Sequence, residues 1–165
     1  MVEAVSNKVK PKTVARILRL WGRMSPYPGG RWLFSRFVGF YVPYSGSIGV
    51  YVEKLAAGYA LTSLKERWRV RNHLRCIHAV ALVNLGEITS GMAMYASLPP
   101  HARGIVVSIE ANYLKKARGR LVAESHCDLP EITQRVDFPL FTEVRDAQGD
   151  VVAQLKVVWR LEPRP

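Results

Sequence analysis

The chain has 165 residues, a formal charge of +11 and a pI near 10.1, with 48% hydrophobic and 22% charged residues. That composition reads as ordinary globular protein, not as a disordered chain, and fits one domain with a real core. Two cysteines, Cys76 and Cys127, exclude a disulfide framework; a single bridge stays open, and a reducing cytoplasm is the plain expectation.

The opening "MVEAVSNKVK" has no apolar h-region, so no signal peptide is expected. Residues 1–36 hold eight basic residues (Lys8, Lys10, Lys12, Arg16, Arg19, Arg23, Arg31, Arg36) against Glu3 alone, which is +7 of the +11. Charge so concentrated implies a local anionic contact. In "TVARILRLWGRM", Val14, Ile17, Leu18 and Trp21 recur at helical spacing, with the arginines mostly elsewhere. "SPYPGG" breaks the chain, and "RWLFSRFVGFYV" resumes it as an aromatic-rich segment ending at Pro43. Residues 1–42 thus read as a basic, helical N-terminal extension. Trp21, Trp32, Phe34 and Phe37 suit either an anionic membrane surface, with the protein peripheral there, or a lid packed on the sheet. Nucleic acid ranks last, because no binding motif accompanies the charge.

Residues 43–165 read as strand, strand, long helix and four strands. "IGVYVEKL" and "YALTSLKERW" flank "AAG" as a hairpin. Cys76–Leu98 is long enough to span a bilayer, yet Glu87 sits mid-way and alternating segments follow, so a buried soluble helix is expected. "GIVVSIEANYL" and "RLVAESHCDL" alternate, with Val106 and Val122 interrupting the polar face. "VDFPLFTEV" puts Val136, Phe138, Leu140, Thr142 and Val144 on one face, while Pro139 marks an edge or a bulge. "VVAQLKVVWRL" puts Val151, Ala153, Leu155, Val157, Trp159 and Leu161 on one face, and "DAQGD" supplies the turn between these two strands. A sheet with one apolar face and a helix apolar nearly all round satisfy each other when the sheet curves around the helix. The expected class is α+β: an antiparallel hotdog of about six strands on one central helix, whose Ala, Gly and Ser content permits close approach.

Glu87 shares a helical stripe with Val83, Ser90, Gly91 and Met94, all small or apolar. A carboxylate there must be paired, protonated or functional. Asn72 and His78 lie at or before the helix start, where unpaired N–H groups can stabilise an oxyanion; their plain reading is turn and packing residues. Nine residues separate His78 from Glu87, about 13–14 Å along the axis, so one chain cannot bring both to one site. Two antiparallel copies can. Lys115, Lys116, Arg118 and Arg120 in "YLKKARGR" surround a strand-to-strand turn and suit the phosphates of a nucleotide-bearing substrate such as coenzyme A, or simply a solvated turn. His73, Cys76 and His78, with His126 and Cys127, lack zinc-ligand spacing, so neither metal nor cofactor is expected.

Together "VRNHLRCIHAVALVNLGE" and "VSIEANYLKKARG" resemble the hotdog-fold thioesterases, especially the branch similar to phenylacetyl-CoA thioesterase. "VPYSGSIG" is similar to an uncharacterised, domain-of-unknown-function subgroup of that superfamily. The resemblance covers about 43–162. It implies acyl-CoA thioester hydrolysis in a homodimer or dimer of dimers, with Glu87 as general base or nucleophile. It also implies that the Ala79 N–H serves in the oxyanion hole, Asn72 orients water or substrate, and His78 supports the loop. Substrate contacts are expected from Ser90, Ser108, Tyr113, Lys115, Lys116 and Arg118. Three departures stand out: "HAV" replaces the relatives' "HGG", the acid is Glu where Asp is commoner, and Val106 occupies a Ser/Thr position, with Ser108 two residues on. The Ala79 and Val106 departures favour the alternative, an acyl-CoA or fatty-acyl binding protein without hydrolysis.

Overall fold

The computed structural model describes residues 16–164. Lys8, Lys10, Lys12 and Val14 lie outside them. Three helices open the chain, α1 (Arg16–Met24), α2 (Gly30–Tyr41) and α3 (Pro43–Ile48). Ile17, Leu18 and Trp21 of α1 pack inward while Arg16, Arg19 and Arg23 stay exposed, as their spacing predicts. Trp21 meets the fully buried Phe34 of α2 edge-on, with ring centroids 5.0 Å apart. Phe34 belongs to the same core cluster as Val52, Met94 and Trp159, so α2 packs as part of the body. Helix α3 is the element that periodicity missed, because one and a half turns hold too few residues to display a period. Pro43 starts it, with φ already suited to a first helical position.

Six strands form one antiparallel sheet: β1 (Tyr51–Ala56), β2 (Tyr59–Lys65), β3 (Ala102–Tyr113), β4 (Arg120–His126), β5 (Val136–Arg145) and β6 (Val151–Pro163), in the order β1-β2-β4-β5-β6-β3. Hairpins β1–β2 and β5–β6 form where the sequence predicts. The β3–β4 link is different. These strands are not neighbours in the sheet, so "LKKARG" is a crossover rather than a tight turn.

The two strand faces fall out almost as read. Leu140, Thr142 and Val144 of β5 and Leu155, Val157, Trp159 and Leu161 of β6 are buried. A bulge opposite Val144 and Arg145 turns Val152 inward as well, which a strict alternation does not foresee. Pro139 pairs with Val158 of β6, but the β4 pairing begins only at Thr142. On that side β5 is locally an edge, and an edge tolerates a residue without an N–H.

Helix α4 (Ala79–Ser97) lies against the sheet, about 28 Å long at 1.5 Å per residue. His78 caps its start, accepting from Val80 N at 3.1 Å through Nδ1, and Pro99 and Pro100 follow its end. Its small residues let the sheet close in. A Cβ on Gly86 would stand 2.6 Å from Leu155 Cδ2, and one on Gly91 would stand 3.0 Å from the Trp159 ring. Cys76 and Cys127 are both buried free thiols, and burial, with Asp128 nearby, pushes the Cys127 thiol up to about 12. No helix among the described residues is long and apolar enough to cross a membrane.

Candidate functional site

The segment leading into α4 is a tight loop closed by its own backbone. Asn72 N donates to Cys76 O at 2.9 Å, His78 N donates to Val70 O at 2.8 Å, and Arg71 bridges Ile77. Asn72 Oδ1 accepts from Leu74 N at 2.9 Å and Cys76 N at 3.3 Å. Its oxygen is therefore committed to the turn, in the manner of an Asx turn. Arg75 takes a left-handed φ of 54°, the only non-glycine to do so among the described residues. Together these contacts fix where α4 starts.

The first turn of α4 exposes N–H groups, and three of the four find acceptors. Val80 N donates to His78 Nδ1, while Ala81 N and Leu82 N donate to His78 O. The Ala79 N–H has no acceptor among the described residues. Tyr113 Oη donates to the carbonyl of the same residue, Ala79, at 3.3 Å. A cleft of about 340 Å³ opens beside this turn, lined by Asn72, Cys76, Ala79, Tyr113, Lys115 and Lys116 among others. It thus gathers five of the ten candidate residues.

The other five lie elsewhere or are otherwise occupied. His78 caps the helix with its exposed ring. Arg118 is exposed on the β3–β4 crossover, and its charge helps hold the Glu66 carboxyl below the usual range, chiefly set by the Gly119 N–H. Ser108 is exposed on β3 beside a bulge at Val107. Ser90 is fully buried; it donates to Glu87 O at 2.9 Å and accepts from Trp159 Nε1 at 3.3 Å. That commits its hydroxyl to the core. Within the cleft, Lys115 is neutralised by Asp146 at 2.7 Å and Asp150 at 2.6 Å on the β5–β6 turn. Of the cleft's two lysines, only Lys116 has no carboxylate partner among the described residues.

Glu87 lies on α4 away from this cleft, half-buried, and its carboxylate has no hydrogen-bond or ionic partner among the described residues. Burial holds its carboxyl above the usual glutamate range. Around it α4 shows an apolar face: Val80 is 50% exposed and Tyr95 41%. Tyr95 Oη donates to Gly104 O of β3 at 2.8 Å, so this face abuts the β3 strand. Gly104 and Val106 of β3 face α4, while Ile105, opposite Arg160, is exposed on the other side of the sheet. The two sheet edges are unlike. β1 is covered by α2, whose Ser35 Oγ accepts from Val52 N at 2.9 Å; β3, twelve residues long, has no strand paired on its outer side among the described residues.

Two features here escape sequence reasoning. Buried Asn84, one turn before Glu87, accepts from Ser45 Oγ at 2.7 Å and donates to Tyr44 O at 3.3 Å, which ties α3 to α4. Cys76 lines the cleft with its Sγ donating to Asn72 Oδ1 at 3.4 Å. An amide amid an apolar helix was a visible signal for the first; nothing local marks the second.

The family model for a domain of unknown function, DUF4442, matches residues 30–161. The chain belongs to the DUF4442 family. The match begins at Gly30, so this DUF4442 domain includes α2 and α3. Solved structures share its hotdog fold. A crystallised genomics protein is similar with 24% identity and a TM-score of 0.77, over 89% of this chain and 97% of its own. A probable thioesterase from Pseudomonas aeruginosa has 21% identity and a TM-score of 0.72, covering 79% and 93%. A thioesterase from Haemophilus influenzae has 13% identity and a TM-score of 0.65, covering 73% and 82%. No curated protein matches the chain.

Proposed function

We propose that this DUF4442 protein hydrolyses an acyl-CoA thioester at a site shared by two copies of the chain. The observation that carries the reading is the Glu87 carboxylate: half-buried, unpartnered among the described residues and set in an uncovered apolar face. The β3 edge, unpaired among the described residues, and the exposed Val80 and Tyr95 side chains of α4 form a surface suited to a second copy. Antiparallel pairing there brings the Ala79 turn of one copy toward Glu87 of the other. That the fold neighbours include proteins named as thioesterases supports the same reaction.

In this mechanism the raised pKa of Glu87 suits a general base. Glu87 takes a proton from water as the water oxygen bonds to the thioester carbon. The carbonyl oxygen becomes an oxyanion, held by the Ala79 N–H at the positive end of α4. The C–S bond then breaks, the carboxylic acid forms, and the leaving thiolate takes the proton from Glu87. Direct attack by the carboxylate is the variant in which water arrives second. Lys116 and Arg118 supply positive charge for the coenzyme A phosphates; Lys115 serves chiefly to order the β5–β6 turn.

A panel of acyl-CoAs, read by release of free thiol, tests this with wild type and Glu87→Gln. Wild-type hydrolysis that falls at least a hundredfold in the variant is expected. Turnover that survives this isosteric change removes Glu87 from the mechanism. A second reading, acyl-CoA binding without hydrolysis, is favoured by the Asn72 oxygen being spent on its own turn and by the methyl of Ala79. Saturable binding with no turnover across the panel selects it.

A further inference from the structure

The outer face of α2 is not accounted for by the proposed reaction. Helix α2 buries Phe34 and Ser35 against the body, yet its opposite side is also apolar. Trp32, Arg36 and Phe40 form one i, i+4 row, and Leu33, Phe37 and Tyr41 form the next. Phe40 is 85% exposed and Tyr41 78%, and Trp32, Leu33 and Phe37 are about half exposed or more. The Phe37 and Tyr41 rings stack with centroids 6.4 Å apart, which makes the second row continuous. Scattered exposed apolar residues are ordinary; two adjacent rows on one short helix are a surface with an occupant.

Charge identifies that occupant. Between Glu3 and Glu53 there is no acidic residue, and Arg16, Arg19, Arg23, Arg31 and Arg36 fall in that span. All five are exposed. A two-fold contact with a second copy would set these arginines against their own images, with no carboxylate between Glu3 and Glu53 to separate them. An anionic surface complements them. A single-stranded nucleic acid requires a cationic track along its backbone, whereas only Arg36 lies among the five apolar side chains of these rows.

We propose that α2 lies flat in the interface of an anionic lipid bilayer. Trp32, Leu33, Phe37 and Phe40 enter the boundary between headgroups and acyl chains, and Arg31 and Arg36 pair with lipid phosphates. At 12 residues, about 18 Å, α2 lies on a membrane and cannot cross one. The placement also keeps the protein at a source of acyl chains.

Flotation of the full-length chain with vesicles tests this without substrate, so its outcome is independent of the thioester reading. The probes are vesicles of equal phosphatidylglycerol and phosphatidylcholine, and of phosphatidylcholine alone, at about 0.1 M salt. Wild type is expected to float with the anionic vesicles at least tenfold better than with the neutral ones, and to be released at 0.5 M salt. A variant carrying Leu33→Ser, Phe37→Ser and Phe40→Ser is expected to lose at least tenfold in recovery, with an unchanged melting temperature. Phe40→Ser alone, at the most exposed position, is the second variant should the triple one unfold. Arg31→Gln with Arg36→Gln is expected to abolish the preference for anionic vesicles. No flotation of wild type, equal recovery with both vesicles, or full recovery of the serine variants overturns the proposal. So does a smaller sedimenting species for the serine variants in vesicle-free buffer, which would make the face a contact between copies.

Discussion

Trp159 Nε1 on β6 donates to Ser90 Oγ on α4 at 3.3 Å, and the same hydroxyl donates to the carbonyl of Glu87 at 2.9 Å. The sheet is thus pinned to the helical turn that carries the candidate base. Both partners are buried, so neither can exchange its bond for water.

Replacing Ser90 by Ala leaves the indole N–H buried without an acceptor. Thermal denaturation followed by circular dichroism is expected to show a loss of about 1–3 kcal/mol. Because the hydroxyl faces Trp159 rather than the cleft, KM for any thioester the protein hydrolyses is expected to stay unchanged. A large rise in KM at unchanged stability would return Ser90 to the substrate.

Gly86 lies where α4 packs directly on Leu155 of β6. An added Cβ would stand 2.6 Å from Leu155 Cδ2 and 3.0 Å from its Cγ, so the whole Leu155 side chain must move. Gly86→Ala gains about 1 kcal/mol of helix propensity and loses about 1–3 kcal/mol to overpacking, for a net loss. Leu155→Val alone is expected to destabilise by about 1 kcal/mol. The double variant is expected to be more stable than the sum of the two losses, and a double-mutant cycle by urea denaturation reads that coupling. Additive losses would mean that the two side chains do not compete for space.

Glu87 titrates against burial. Its pKa is raised in the folded chain, so on raising pH the unfolded chain releases this proton first. Stability is therefore lost as pH climbs from the ordinary glutamate pKa through the raised one, and the loss is complete above it. Gln carries no such charge. Glu87→Gln is expected to melt higher than wild type near pH 7, with the difference closing near pH 4. A melting difference that is constant from pH 4 to pH 8 contradicts the burial of this group. The same shift places the acid limb of any hydrolysis rate profile above the usual glutamate range, and scanning wild-type rate against pH checks it.

Much of the fold was legible in the chain. Period-two runs marked β5 and β6 because one face of each meets α4, and an Ala/Gly/Ser-rich apolar helix announced a sheet at close range. The lone carboxylate of Glu87 was legible for the same reason: local pattern reports which positions face a core. Helices α1 and α2 were legible too, whereas α3 is shorter than any period can show.

What the sequence by itself determined, then, is the kind of each element and which side of it avoids water, since these follow from spacing along the chain. Beyond the two hairpins, partners across the sheet were decided by tertiary structure alone. Lys115 looked like one of four free cations until the β5–β6 turn brought Asp146 and Asp150, thirty-one and thirty-five residues away, onto its ammonium. Ser90 looked available until Trp159 reached it across sixty-nine residues. Likewise β3 and β4, next to each other in sequence, end up apart because α4 delivers β3 to the far edge beside β6. Periodicity measures distances of a few residues; ion pairs, buried hydrogen bonds and strand order are contacts in space, and no local spacing encodes them.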